Sequence, residues 1–287
     1  MPEPARRAPA LSSRTDPAGE AGGKRHLPLL RARDGLDILL FLALAAGFGW
    51  LVLHGAEGLG YNWQWFQVPR ALYASGENGL APGPLLLGLG VTLELTALSF
   101  LGALFVGLAA ALLRLSGSLA GRALGRAYLE LIRNTPLLIQ LLFLYFAVAP
   151  VLGMDALATA VLGLSLFEGA YVCEIIRAGV LSIDPGQWDA ARSLGMGTAS
   201  AYRHVILPQA LRRMLPPLAS QAVTIVKDSS LASAIAIAEL TLRGQTIVAE
   251  TFLSFEMWFT VAALYLLVTT ALSAAAHALE RRLAYPA

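Results

Sequence analysis

Apolar runs long enough to cross a lipid bilayer recur along this chain, and they leave it few folds to adopt. A helix needs about 20 predominantly apolar residues to span roughly 30 Å of hydrocarbon. Six segments approach that length: Leu36 to Leu53, Leu85 to Leu113, Leu129 to Leu152, Leu157 to Leu181, Val205 to Ile237 with proline interruptions, and Trp258 to Leu279. Of the 287 residues, 56% are hydrophobic and only 14% charged, a balance outside that of soluble domains. The expectation is an all-α membrane protein of about six transmembrane helices. In the third segment Asn134 and Thr135 suit a helix cap and Pro136 a first helical turn, so that span is expected to begin there.

The positive charges orient the chain. Seven lie in the first 35 residues, and further clusters follow the second segment (Arg114, Arg122, Arg126, Arg133), the fourth (Arg177, Arg192, Arg203, Arg212, Arg213) and the sixth (Arg281, Arg282). All of these fall on one side of a six-span arrangement. Lysine and arginine mark the cytoplasmic side, so both termini are expected there. Residues 1–35 are rich in Pro, Arg, Ala and Gly and read as a disordered cytoplasmic tail, not a cleavable signal. They precede a first transmembrane helix over 36–54 and an external loop over 55–84. Tyr61, Trp63, Trp65 and Phe66 in that loop suit either an interfacial aromatic belt or contact with a partner.

One polar stretch, "SIDPGQWDAARSLGMG", interrupts the apolar pattern after the fourth segment. Pro185 and Gly186 precede a short helix on which Trp188, Ala191 and Leu194 share one face, and Gly195 and Gly197 stop it. The small residues Ala190, Ala191 and Gly195 would let another backbone approach closely. A helix this short is marginal alone in water. It therefore either lies on lipid headgroups, with Arg192 and Arg203 at phosphate, or receives a partner.

The stretch resembles the signature of permease subunits of ABC importers: Glu-Ala-Ala, three residues, Gly, nine residues, Ile, one residue, Leu-Pro. Asp189, Ala190, Ala191, Gly195, Leu207 and Pro208 fall at that spacing, with Asp189 in place of Glu and Val205 in place of Ile. "GLGVTLELTALS", "RNTPLLIQLLFLYF", "GAYVCEIIRAGVLSIDPGQWDAARSLG", "VILPQALRRMLPPL" and "KDSSLASAIAIAEL" together look like the polar amino acid uptake subfamily. The resemblance implies a type I importer permease core over 85–283 in the cell inner membrane. Residues 185–208 would be its coupling segment, touching a separate ATPase through Asp189, Ala190, Ala191, Arg192, Leu194, Gly195, Leu207 and Pro208. Further partners implied are a second permease copy or a homologous permease, an extracytoplasmic solute-binding protein and a polar amino acid, all within membrane lipid.

No phosphate-binding loop is legible. In "AGEAGGKR", Ala18 stands where the first glycine belongs and Arg25 where Ser or Thr belongs. The chain is thus expected to carry no cofactor, with ATP and magnesium held by the partner ATPase, and to be a transport subunit without catalytic residues of its own. The four histidines and the single Cys173 are too scattered for a metal site, and nothing points to nucleic acid.

Charges within a bilayer cost roughly 2.5 to 3.5 kcal/mol each on insertion scales, so each needs a reason. Glu94, Glu168, Lys227 and Asp228 fall within the apolar segments, and with Gln140 they are the candidates for a solute path. A zwitterionic amino acid needs an acceptor for its ammonium and a donor for its carboxylate. Pairing between helices is the competing explanation, and for Glu174 and Arg177, three residues apart, it is the favoured one. Gln140 and Tyr145 either line a cavity or bond across a helix interface, and Cys173 suits packing. Another small polar solute, or an ion-coupled secondary transporter using Glu94 and Glu168, are the alternatives. The second would call for repeated halves, and none is evident.

Overall fold

A computed structural model of the chain describes residues 32–58, 60–76 and 79–283. Most of the expected tail, residues 1–31, lies outside the described residues. The chain divides into two units, 1–62 and 63–287. The first contains helix α1 (Ala32–Gly58), which begins four residues before the expected boundary and carries its apolar stretch over Asp37–Leu51.

In the second unit, a 3-10 turn at Trp65–Gln67 leads into α2 (Val68–Leu72) and an antiparallel hairpin of β1 (Tyr73–Gly76) and β2 (Gly79–Pro82). The hairpin is a small departure from the all-helical expectation. The expected external loop is tied to the last helix, Ser254–Leu283, around Trp63 to Trp65. The Gln64 backbone N–H donates to Glu256 Oε1 at 2.6 Å. Trp63 and Trp65 stack on each other at 6.0 Å and pack against Phe255 and Phe259, so these two rings spend part of their surface within the protein.

The helices that follow are α3 (Pro84–Leu115), α4 (Leu119–Arg133), α5 (Leu137–Phe143), α6 (Ala149–Leu152), α7 (Ala156–Leu181), α8 (Pro185–Ser193), α9 (Thr198–Ala201), α10 (Leu207–Asp228), α11 (Leu240–Thr251) and α12 (Ser254–Leu283). Among the described residues α3, α7 and α12 are each long and apolar enough to cross a membrane alone. A fourth span counts if α4 and the run from Leu137 to Leu152, bent by 100°, are taken together. The proline-interrupted fifth segment is α10 plus a 3-10 turn over Ser229–Ile235, with Pro216 and Pro217 inside the helix.

The break before α5 differs from the sequence expectation. Asn134 and Thr135 do not cap the helix that follows. Asn134 Nδ2 donates to Glu130 Oε2 at 2.9 Å and Thr135 Oγ1 donates to the Leu131 carbonyl at 2.9 Å. Both side chains finish α4, and Pro136 itself stands at the cap of α5 rather than in its first turn.

The most extensive helix contact is that of α3 with α7, and small residues set its spacing. A Cβ added at Gly107 would meet Val172 Cγ1 at 2.5 Å, and one at Gly169 would meet Val106 at 3.0 Å. Apolar lipid tails give helices no hydrophobic reason to associate, so close van der Waals approach must supply it. Around this pair lie buried clusters built from Leu95, Leu141, Leu164 and Ile235 and from Ala103, Val172 and Ile225. Replacing Gly107 by Leu is expected to force the two helices apart and cost about 1–3 kcal/mol. The midpoint of thermal unfolding in detergent measures it, and an unchanged midpoint would show that the contact does not govern stability.

Candidate functional site

The polar interruption is a short helix with a defined start and stop. The Asp184 carboxylate accepts the Gly186 N–H at 2.6 Å, with Pro185 in the first turn. At the other end the Gly195 N–H donates to the Arg192 carbonyl at 2.9 Å and the Met196 N–H to the Ala191 carbonyl at 3.1 Å. Gly195 has φ +74°. This is the paired closure of a Schellman motif, whose left-handed residue is usually glycine. Open space surrounds the Gly195 Cβ position, so glycine is required there by backbone conformation and not by crowding within the chain.

Helix α8 is seated on the ends of two longer helices. Ala191 is buried, and the Trp188 ring meets Tyr202 edge-on at 4.7 Å. Beneath them Val180 of α7 and Ile183 just past its end join Ile206, just before α10, and Ala210 and Met214 within it. Polar ties complete the seat. Gln209 Nε2 donates to Gln187 Oε1 at 3.1 Å, and Arg213 donates to the carbonyl and hydroxyl oxygens of Ser182.

The outward face carries Asp189, Ala190, Arg192, Ser193 and Leu194. Two expectations change here. Leu194 does not share the packed face with Trp188 and Ala191; it is 81% exposed, because α8 ends at Ser193 and the chain turns at Gly195. Ala191 points inward and so does not help to open the backbone to a partner, a part left to Ala190 and Gly195. Asp189 and Arg192 lie 3.5 Å apart on exposed side chains, a pair that contributes little to stability. Leu207 and Pro208 open α10 and are exposed.

The five solute-path candidates do not form one cluster. Glu168 of α7 is fully buried; its Oε2 accepts from Gln221 Nε2 of α10, its Oε1 meets no N–H or hydroxyl donor among the described residues, and the Asp228 carboxyl faces it. Glu168 and Asp228 are thus brought together. Lys227 is exposed and has no ion-pair partner among the described residues. Glu94 is exposed on a face of α3 shared with Gly90, Ala97 and Leu101, also with no partner among the described residues. Gln140 closes the helix break, with Nε2 donating to the carbonyls of Ile132 at 2.8 Å and Thr135 at 3.0 Å.

The Glu174 and Arg177 pair forms, at 3.0 Å, and a third member joins it, since Arg114 also reaches Glu174. Cys173 is buried among Ala110, Leu129 and Ala170. Glu239, which the sequence reading did not single out, is fully buried at the start of α11. It accepts the N–H groups of Thr241 and Leu242 and the Tyr265 hydroxyl, all at 2.8 Å. An acid at the end of an apolar run was the available signal; the helix start behind it was hidden by the 3-10 turn.

Comparison with known proteins places these features in company. Residues 103–285 match the model of the binding-protein-dependent transport system inner membrane component. The chain is 41% identical over 204 residues to the glutamine transport system permease protein GlnP of Escherichia coli (strain K12), covering 70% of this chain and 93% of that one. It is 40% identical over 199 residues to the L-cystine transport system permease protein TcyB of Bacillus subtilis (strain 168), covering 68% and 85%. Among solved structures it is similar to the crystal structure of an amino acid ABC transporter with histidines. There the TM-score is 0.65 and the identity 39%, over 69% of this chain and 94% of that one.

Replacing Glu239 by Ala is expected to strand two backbone N–H groups and the Tyr265 hydroxyl. The cost is about 1–3 kcal/mol for unsatisfied buried groups. Denaturant unfolding in micelles reads this loss, and wild-type stability would mean that water reaches the cap.

Proposed function

The chain belongs to the binding-protein-dependent transport system inner membrane components, and on that premise we propose that it forms half of the solute path of an ATP-driven importer of polar amino acids. As a member of that family it is an inner membrane permease subunit and not an enzyme. The names of its relatives, glutamine and L-cystine permeases, favour a polar amino acid over other small polar solutes. In this reading ATP and magnesium are held by a separate ATPase, and an extracytoplasmic binding protein delivers the solute. A second permease, identical or homologous, completes the path. Both termini lie in the cytoplasm, as the arginine distribution favours.

The observation that carries the proposal is the double attachment of α8. Its Trp188 packs on the cluster that Val180 and Ile183 form with Ile206 and Ala210, and its Gln187 accepts from Gln209 of α10, while Arg213 of α10 bonds Ser182 at the end of α7. The outer face of α8 is exposed. Those two helices also hold the buried acid site, with Glu168 on α7 and Gln221 and Asp228 on α10. Thirteen residues of helix, roughly 20 Å at 1.5 Å per residue, separate Glu168 from the end of α7. A push on α8 therefore shifts two stiff helices whose mutual contact includes a carboxylate with one oxygen unsatisfied. Glu168 is suited to accept a solute ammonium when that contact opens, and Glu94, Lys227 and Asp228 are the charges left to complete the path. Gln140 supports the path by holding the bent span.

Two substitutions test the two ends of this lever. Gly195→Trp is expected to leave the chain in the membrane and abolish solute-dependent ATP hydrolysis by the assembled complex. Gly195→Ala carries the left-handed backbone strain of about 1–2 kcal/mol without the bulk, so it should retain much of the coupling. Normal coupling in the Trp variant would remove α8 as the contact. For the other end, Glu168→Gln should weaken transport affinity or alter selectivity while leaving solute-independent ATP hydrolysis intact. Unchanged affinity and selectivity would take Glu168 out of the path.

A further inference from the structure

A second charged site lies away from both places. At the α8 end of the bundle, α3, α4 and α7 enclose a cavity of about 460 Å³ lined by Arg114, Arg126, Glu130, Arg133, Tyr171 and Glu174. Its charges are not balanced. Arg114 and Arg177 both bind Glu174, so that carboxylate is already shared by two cations. The Arg133 guanidinium sits 5.3 Å from the Tyr171 ring centre, a contact that orients it without neutralising it. Glu130 is engaged by the Asn134 amide. Arg126 pairs with no carboxylate among the described residues, and both Arg126 and Arg133 are exposed.

The helix that supplies these two arginines presents three faces. Gly125, Leu129 and Ile132 pack inward. Ala120, Leu124, Ala127 and Leu131, spaced by four, three and four residues, form an exposed apolar stripe, with Leu124 and Leu131 at 62% and 70% exposure. Arg126, Glu130 and Arg133 form the polar stripe beside it. An apolar stripe next to a pocket with surplus guanidinium charge matches one kind of molecule, an anion attached to a hydrocarbon chain. Arginine forks pair with phosphate in bidentate geometry, and basic pockets between membrane helices at the positively charged side take anionic headgroups.

We propose that this cavity is a binding site for an anionic phospholipid, its phosphodiester held by Arg126 and Arg133 and an acyl chain laid along Ala120, Leu124, Ala127 and Leu131. Bound there, the headgroup sits in the cleft beside α4, next to Tyr171 and the Arg114, Glu174 and Arg177 cluster. The site is separate from Glu168 and from the outer face of α8, so its test is independent of the transport reading.

The experiment is native mass spectrometry of the full-length chain, purified in an uncharged detergent and titrated with phosphatidylglycerol or with phosphatidylcholine. Phosphatidylglycerol is expected to bind the wild type more tightly than phosphatidylcholine. Removing both charges with Arg126→Gln and Arg133→Gln should weaken phosphatidylglycerol roughly 30-fold, the loss that two near-surface arginines supply. Arg126→Lys with Arg133→Lys should keep most of the binding, which separates loss of charge from loss of fold. Equal affinity for phosphatidylglycerol in the wild type and the double Gln variant overturns the proposal. Displacement by millimolar glycerol phosphate would mean a free phosphate site and not a lipid site, and displacement by glutamine would mean that the cavity belongs to the solute path. Either result also overturns it.

Discussion

The close approach of α3 and α7 is the contact on which the rest of this molecule hangs. In a bilayer, burying one leucine against another gains little over burying it in lipid, so helices stay together only where their backbones come near enough for dense contact and hydrogen bonding. Gly107 and Gly169 provide that nearness. It lets Ser165 donate to the Ser99 carbonyl at 3.4 Å and leaves room for the Tyr128 hydroxyl to reach the Leu166 carbonyl at 2.5 Å. The second bond draws α4 onto the pair. From the two ends of α7 follow the remaining features, with the bent span at one side, α8 at the other and Glu168 between.

Three glutamates of the core, Glu168, Glu239 and Glu256, have no exposed surface, and the way each is satisfied separates scaffold from candidate site. Glu239 accepts two backbone donors and a hydroxyl, so it works as a cap that locks α11 against α12. Glu256 holds the loop through the Gln64 backbone. Glu168 alone of the three leaves a buried oxygen without a hydrogen bond, beside a second acid. An incompletely satisfied buried carboxylate is costly. Its place between the two helices beneath α8 is what makes it the candidate for solute contact.

Legibility in the sequence varied with the range of the interaction. Of the six expected spans, α3, α7 and α12 were readable because hydropathy is a sum over local residues, and the start of α8 was readable because Pro185 and the cap at Asp184 act within one turn. The Glu174 and Arg177 pair was readable for the same reason, but Arg114, sixty residues away in sequence, was not. Asn134 and Thr135 were misassigned because a capping residue can serve the helix before it as well as the one after, and only the 100° bend decides which. Leu194 was placed on the packed face because helical periodicity was carried one residue past the real end of α8. For Gln140 the sequence leaves cavity lining and a bond across a helix interface both open, and the structure gives its amide to the open carbonyls of the broken helix.

By itself, then, the amino-acid sequence determined that the chain is a bundle of membrane helices, which end of it is basic, and where the polar segment with its Gly195 stop must lie. Those properties follow from composition, period and turn chemistry within a few residues. The tertiary structure decided which side of α8 is free, which acids meet, and that α8 is fastened to the same two helices that enclose Glu168. These depend on where α7 and α10 come together in space, set by glycine contacts and side-chain shapes far apart in the chain, and no local pattern encodes that distance.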